Sequence, residues 1–268
     1  MKMISFIFVI FVVFGLLLFS CATTGPGGKK SLILIGTNDE VSIGQSLIKE
    51  IESKNKVTQD TVLGNYIDKV GQKVASLSDR KDIEYHFKVL ESPEINAFAC
   101  PGGFIYVYSG LLKIMDNEAQ LSGVLGHEIG HVVARHSVKR LQQVLGLQVL
   151  LSLTLGESSE LTQKAVGTGI TLIMQGYSRQ NEFEADYDGT LYMTQAGYNP
   201  EGMVQLFGKF KKMEKEKKSA FLDQLLASHP PTPERIAKVE EEIKSLNLGD
   251  KKLALGQENY QKIKSHLK

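Results

Sequence analysis

The chain has 268 residues, 42% of them hydrophobic and 23% charged, an ordinary globular balance that excludes disorder, collagen and a disulfide scaffold. Its 31 basic and 30 acidic residues leave a formal charge of +1, so no net field favours nucleic acid as a partner. There are 2 cysteines and no tryptophan, and the apolar residues are crowded at the start of the chain.

Met3 to Phe19 is apolar except for Ser5 and Gly15, and one cation, Lys2, precedes it. A positive start and a short apolar run predict an export signal over residues 1–20. The run falls short of the about 20 residues that span a bilayer, although an uncleaved anchor helix is the alternative. Leu18-Phe19-Ser20-Cys21 resembles a bacterial lipobox, which makes Cys21 the expected lipidation site. Ala22 after it is similar to lipoproteins sorted to an outer membrane. The expected location is therefore the cell envelope, membrane-anchored and facing the periplasm. Residues 21–30 read as a lipidated cysteine and a flexible glycine-rich tether. Cleavage removes Lys2 and no acid, taking the formal charge from +1 to zero. Lipidation consumes Cys21 and leaves Cys100 with no disulfide partner.

Val41 to Lys54 predicts an amphipathic helix, with Ile43, Leu47, Ile48 and Ile51 on one face. Thr61 to Leu77 predicts a second, capped by Asp60. Glu84 to Leu90 alternates like a strand, and Phe104 to Tyr108 is another, entered through the turn Pro101-Gly102-Gly103. Helices are expected over Asn117–Ser137, Leu141–Leu155, Glu160–Gly176, Asn181–Ala196, Pro200–Lys217 and Pro233–Leu246, the fifth with proline near its N-terminus. No internal repeat is present. The fold class is α+β, mainly α, with a small β-sheet. Residues 31–248 form the expected domain, and residues 249–268 a polar, loosely held tail.

His127-Glu128-Ile129-Gly130-His131 is an HExxH pattern on the helix after the strands. Residues four apart share a helix face, so both imidazoles can bind one Zn²⁺. Glu128 stands close enough to take a proton from water activated by that metal, as hydrolysis of a peptide bond requires. Leu121, Val124, Leu125, Ile129, Val132 and Val133 place this helix in a core, where unpartnered histidines are costly. A third ligand is needed, from His86, His136, His229, His266 or a carboxylate. Glu182 and Asp186, four apart on a later helix, are the best candidates. One can bind zinc while the other accepts the N–H of a zinc-bound imidazole. Glu184 points elsewhere on that helix.

His127 to His131, then Arg135-His136, then Glu182-Phe183-Glu184-Ala185-Asp186, closely resembles the HtpX- and Oma-type zinc metallopeptidases, peptidase family M forty-eight, which also contains the CAAX prenyl protease. Pro93 to Leu112 looks like the stretch before the zinc helix in that family. The resemblance covers about Val41 to Ile236 and implies a zincin-like fold with His127, His131 and Glu182 as ligands of one Zn²⁺. It implies Glu128 as general base and Asp186 as the partner of a histidine. Ser228-His229-Pro230-Pro231 resembles the periplasmic branch, whose histidine lies near the active site. His229 can fill the open zinc position or hydrogen-bond the tetrahedral intermediate. Arg235 can steady an oxyanion or a carboxylate. No tetratricopeptide array of the kind some relatives carry is expected in the short stretch after Ile236.

In zincins of this type, the edge strand beside the active helix pairs with an extended substrate. Phe104 to Tyr108 is the expected edge, with Asn96 and Ala97 beside the cleft. The apolar runs within 141–176 are expected as core helices, with a lid or membrane contact as the alternative. The expected function is zinc-dependent endoproteolysis of unfolded or misassembled envelope proteins. A zinc-containing, chaperone-like binding module is the alternative.

Overall fold

The computed structural model of the chain describes residues 21–22, 31–154, 160–216 and 220–267. The expected export signal and most of the tether lie outside the described residues. Cys21–Ala22 pairs antiparallel with Ser31–Leu32. Helix α1, Thr37–Lys54, begins before the expected Val41, because its first turn is polar and shows no apolar period. Asp39 and Glu40 there complement the helix dipole. Helix α2, Thr61–Ala75, starts as expected: the Val62 and Leu63 amides each donate to Asp60 Oδ1 at 3.0 Å.

The sheet comprises β1, His86–Leu90, β2, Ala97–Cys100, and β3, Phe104–Tyr108, in the order β1-β3-β2. β3 runs parallel to β1, with His86 opposite Phe104, and antiparallel to β2, with Ala97 opposite Val107. β3 is therefore the middle strand and not the expected edge. The edge beside the HExxH helix is β2, which sequence patterning did not resolve as a strand. Every residue of β2 and β3 is buried, and successive side chains enter opposite layers. Ala97, Ala99, Ile105 and Val107 pack with α2 on one face. Phe98, Cys100, Phe104 and Tyr106 pack with α1 on the other. Each large apolar side chain buried this way contributes about 1.5–3 kcal/mol.

The helices that follow are α3, Ser109–Ile114, α4, Glu118–Val133, α5, His136–Leu145, α6, Leu147–Thr154, α7, Glu160–Met174, α8, Arg179–Gln195, α9, Glu201–Lys215, α10, Asp223–Ser228, α11, Pro233–Ser245, and α12, Gln257–Lys264. The expected helix over 117–137 stops at Val133. Arg135 adopts a left-handed conformation, φ 53°, which costs a non-glycine residue about 1–2 kcal/mol. Its guanidinium Nε lies 2.7 Å from the buried Glu40 carboxylate, which also binds Arg80, and this ion-pair cluster holds the turn. A second break falls at Gly146, φ 75°. Leu150, Leu153, Ala165 and Ile173 of α6 and α7 are buried with Ile43 and Leu47, so the expectation of core helices holds there. No helix among the described residues is long and apolar enough to cross a membrane.

The stretch after Gly249 is docked, contrary to the expectation of a loose tail. Tyr260 and Ile263 of α12 are buried in the core that contains α2 and α4. The Tyr260 hydroxyl donates to the Leu112 carbonyl at 2.7 Å, and Lys264 Nζ donates to Met115 O at 2.8 Å. The segment has too few apolar residues to show a helical period, and it is held by these carbonyl contacts instead.

Candidate metal centre

Asn117 begins α4 by accepting the Gln120 amide at 2.9 Å. The helix that follows is buried almost throughout, including His127, Glu128 and His131. Glycine brings α8 against it. A Cβ at Gly189 would lie 2.6 Å from the His127 amide nitrogen, and one at Gly130 would lie 2.9 Å from the Ala185 carbonyl oxygen. With backbones this close, the first two turns of α8 lay Glu182 and Asp186 on the imidazole face of α4.

The donor atoms of His127, His131, Glu182 and His229 all lie within 4.8 Å of one another, and all four residues are buried. The Nε2 atoms of His127 and His131 are 3.0 Å apart. Glu182 Oε1 is 3.3 Å from His131 Nε2, and Oε2 is 3.6 Å from His127 Nε2. His229 Nδ1 lies 3.2 Å from His127 Nε2 and 3.1 Å from each Glu182 oxygen. These facing lone pairs have too few protons to satisfy one another, and one small cation would satisfy them together. Two or three imidazoles and one carboxylate form a donor set that fits zinc.

On the far side of His127, Nδ1 meets Asp186 Oδ1 at 2.9 Å. Arg235, 2% exposed, donates to Asp186 from Nε and Nη2 at 2.7 Å each and reaches Glu182 Oε2 from Nη1 at 2.8 Å. Of the two roles open to it in the sequence, the guanidinium is placed for the one that steadies carboxylates. The other candidate ligands stand apart. His86 stacks on Phe104 at 4.9 Å between ring centroids, and His266 pairs with Asp60 at 2.8 Å. His136 meets His131 Nδ1, on the edge of the ring away from the cluster. Asn96 is buried, with Oδ1 accepting the Ala97 amide, whereas Ala97 lines a cavity of about 40 Å³. Val124, Met203 and Phe207 wall that cavity, which opens onto His127, Glu128, His229 and Arg235. Cys100 is a buried free thiol, and burial pushes its pKa up.

Burial alone would raise the Glu182 carboxyl, but the charge of His229, hydrogen bonds from His131 and His229, and Arg235 hold it well below the usual range. Asp186 is likewise lowered: burial opposes ionisation, and Arg235 and His127 outweigh it. Burial pushes His131 well below the ordinary histidine value. Ionised carboxylate and neutral imidazole are the forms that bind metal. Glu128 differs from Glu182. Burial raises it despite His229 and His127 nearby, and its Oε2 is buried with no hydrogen-bond partner.

Two neighbours, Tyr177 and Ser137, escaped sequence reasoning. The Tyr177 ring stacks on His131 at 4.2 Å, and its hydroxyl meets Ser137 Oγ at 2.7 Å. His136 and Glu184 form a contact behind the same imidazole. The sequence offered His136 as a possible ligand and set Glu184 apart from the ligand face, but did not pair them, and nothing in it marked Tyr177 or Ser137.

A buried HExxH helix, a glutamate helix packed on it backbone to backbone, and a three-stranded sheet at its side define a zincin-like domain, mainly helical, as the sequence implied. The chain belongs to Peptidase family M48, which it matches over residues 63–243, and zinc is the metal of that family. It is 28% identical to the beta-barrel assembly-enhancing protease of Escherichia coli over 229 residues, 81% of this chain and 46% of that protein. It is 31% identical to the mitochondrial metalloendopeptidase OMA1 of Schizosaccharomyces pombe over 179 residues, 66% of this chain and 52% of that one. It is 28% identical to the metalloprotease YcaL of Escherichia coli over 212 residues, 77% of this chain and 81% of that protein. The chain thus spans about half the length of the first two of these relatives.

Proposed function

We propose that the chain is a zinc-dependent endopeptidase in which His127, His131 and Glu182 hold one Zn²⁺ and Glu128 is the general base. The observation that carries this reading is the Glu128 carboxylate, buried beside convergent metal donors with Oε2 unengaged. A structural zinc site has no use for such a group. Bound there, zinc supplies Lewis acidity that activates water and polarises a peptide carbonyl. Glu128 takes the proton of the attacking water at its free oxygen and delivers it to the leaving amine. Asp186 accepts the Nδ1 proton of His127 and fixes that ring, and Arg235 keeps Asp186 and Glu182 ionised and in place. β2, as the sheet edge, pairs with an extended substrate backbone, with Ala97 at the cleft. In this conformation His229 fills the fourth position of the cluster, which supports a resting-state ligand role that substrate must displace.

The substrates follow from backbone-directed binding, which selects extended polypeptide over folded protein. We assign the chain to removal of unfolded or misassembled cell-envelope proteins. Likeness to a beta-barrel assembly-enhancing protease supports this. Lipidation at Cys21, with the outer membrane as the anchoring surface, is part of the same reading; the first rests on the Leu18-to-Cys21 motif and the second on Ala22 after it. Chelator-treated protein should stop cleaving an unfolded substrate and recover with added zinc. Cleavage that persists in excess chelator would refute the zinc mechanism. Fatty-acid labelling that is lost in Cys21→Ser checks the anchor, and equal labelling would refute it.

A further inference from the structure

The two imidazoles of the HExxH motif are held from behind by different chemistry. His127 backs onto the carboxylate Asp186. His131 backs onto another imidazole, with its Nδ1 2.9 Å from Nδ1 of His136. His136 Nε2 in turn lies 3.4 Å from Glu184 Oε2. Both partners are enclosed: the His136 side chain is 1% exposed and that of Glu184 9%.

Two facing ring nitrogens share one proton. His131 turns Nε2 toward His127 and Glu182, so as a ligand it must keep its lone pair there and its proton on Nδ1. Nδ1 of His136 must then accept that proton's hydrogen bond. The proton of His136 itself is thereby confined to Nε2, the nitrogen that faces Glu184. The chain is placed for this. The left-handed Arg135 ends α4 and starts α5 at His136, returning that imidazole beneath His131. Tyr177 closes the face of the same ring, stacked at 4.2 Å and anchored by Ser137.

We propose that His136, backed by Glu184, is a positioning residue that fixes the tautomer and ring plane of His131 as a metal ligand. This rests on the zinc reading of the site. It gives the centre an asymmetric support, with a charged partner behind one imidazole and a neutral one behind the other.

Zinc affinity, measured by competition with a chromophoric chelator, tests the role apart from proteolysis. His136→Phe should weaken binding about 10- to 100-fold, and Glu184→Gln by a smaller factor. The double variant should be no weaker than His136→Phe, because both act through one hydrogen-bonded path. Long-range ¹H–¹⁵N correlation spectra of the zinc-loaded wild-type protein should show His136 protonated on Nε2 and His131 on Nδ1. That reading stands whether or not His136→Phe folds. Unchanged zinc affinity in His136→Phe, or a His136 protonated on Nδ1, would overturn the proposal alone. Wild-type protein that binds no zinc, or an undiminished zinc content in His131→Ala, would overturn the zinc site as well.

Discussion

Arg235 is answerable for two buried acids at once. Its fork grips Asp186, and the remaining nitrogen reaches Glu182, with all three side chains 2% exposed. Removing one partner of a buried ion pair leaves uncompensated charge, which costs about 3–5 kcal/mol. Arg235→Leu should therefore destabilise the metal-free protein by about that amount in urea unfolding. A loss below about 1 kcal/mol would show that water, and not the guanidinium, solvates the two carboxylates. The pairing was only half legible in the sequence. Spacing put Glu182 and Asp186 on one helix face, and HExxH put two imidazoles on another. The sequence offered Arg235 for an oxyanion or a carboxylate but could not say that this guanidinium, forty-nine positions after Asp186, grips Asp186 and Glu182, since such a contact exists only once α11 has packed on α8.

At the scale of elements, the centre depends on how closely α4 approaches α8. Gly126, Gly130 and Gly189 allow backbone to meet backbone, and a methyl group at Gly189 would press on the His127 amide at 2.6 Å. Gly189→Ala should cost about 1–3 kcal/mol through overpacking and should weaken zinc binding as the ligand helices separate. Equilibrium unfolding together with a zinc titration checks this. A variant as stable and as tight as wild type would mean that the helices slide without consequence. The apolar stripe of α2 and its Asp60 cap were readable, and so was β3, through its run of aromatic and β-branched residues. β2 was not, because Ala97-Phe98-Ala99-Cys100 is buried on both faces, shows no alternation of polarity and has no β-branched residue. The break at Gly146 had a glycine to mark it. The break at Arg135 had no mark, because the left-handed turn is held by Glu40, ninety-five positions earlier in the chain.

Over the whole molecule, the three-stranded sheet divides two apolar layers, and Asp186 and Asp188 of α8 come near Glu242 of α11. Glu242 of α11 has a buried Oε2 without a partner. Burial first, then the charges of Asp186, Asp188 and Glu241, outweigh Lys238 and push its pKa up to about 8 from an ordinary 4.5. A raised carboxyl means that the folded chain holds the proton more tightly than the unfolded one. Its stabilising contribution is full below about 4.5 and is lost as pH rises through about 8. Thermal stability of the wild type should fall relative to Glu242→Gln across that window. Parallel pH profiles for the two would contradict it. Asp186 works in the opposite sense: its lowered pKa stabilises the fold above the ordinary aspartate range, and this is lost only in strong acid.

On the proposed reading, one zinc and one unengaged carboxylate make this chain a protease. Zinc content and cleavage of an unfolded substrate, measured on the wild type beside Glu128→Gln, decide it. The expected result is about one zinc per chain in both proteins, with cleavage reduced roughly 10²- to 10⁴-fold in the variant alone. A Glu128→Gln protein that carries its zinc and still cleaves at the wild-type rate would contradict it.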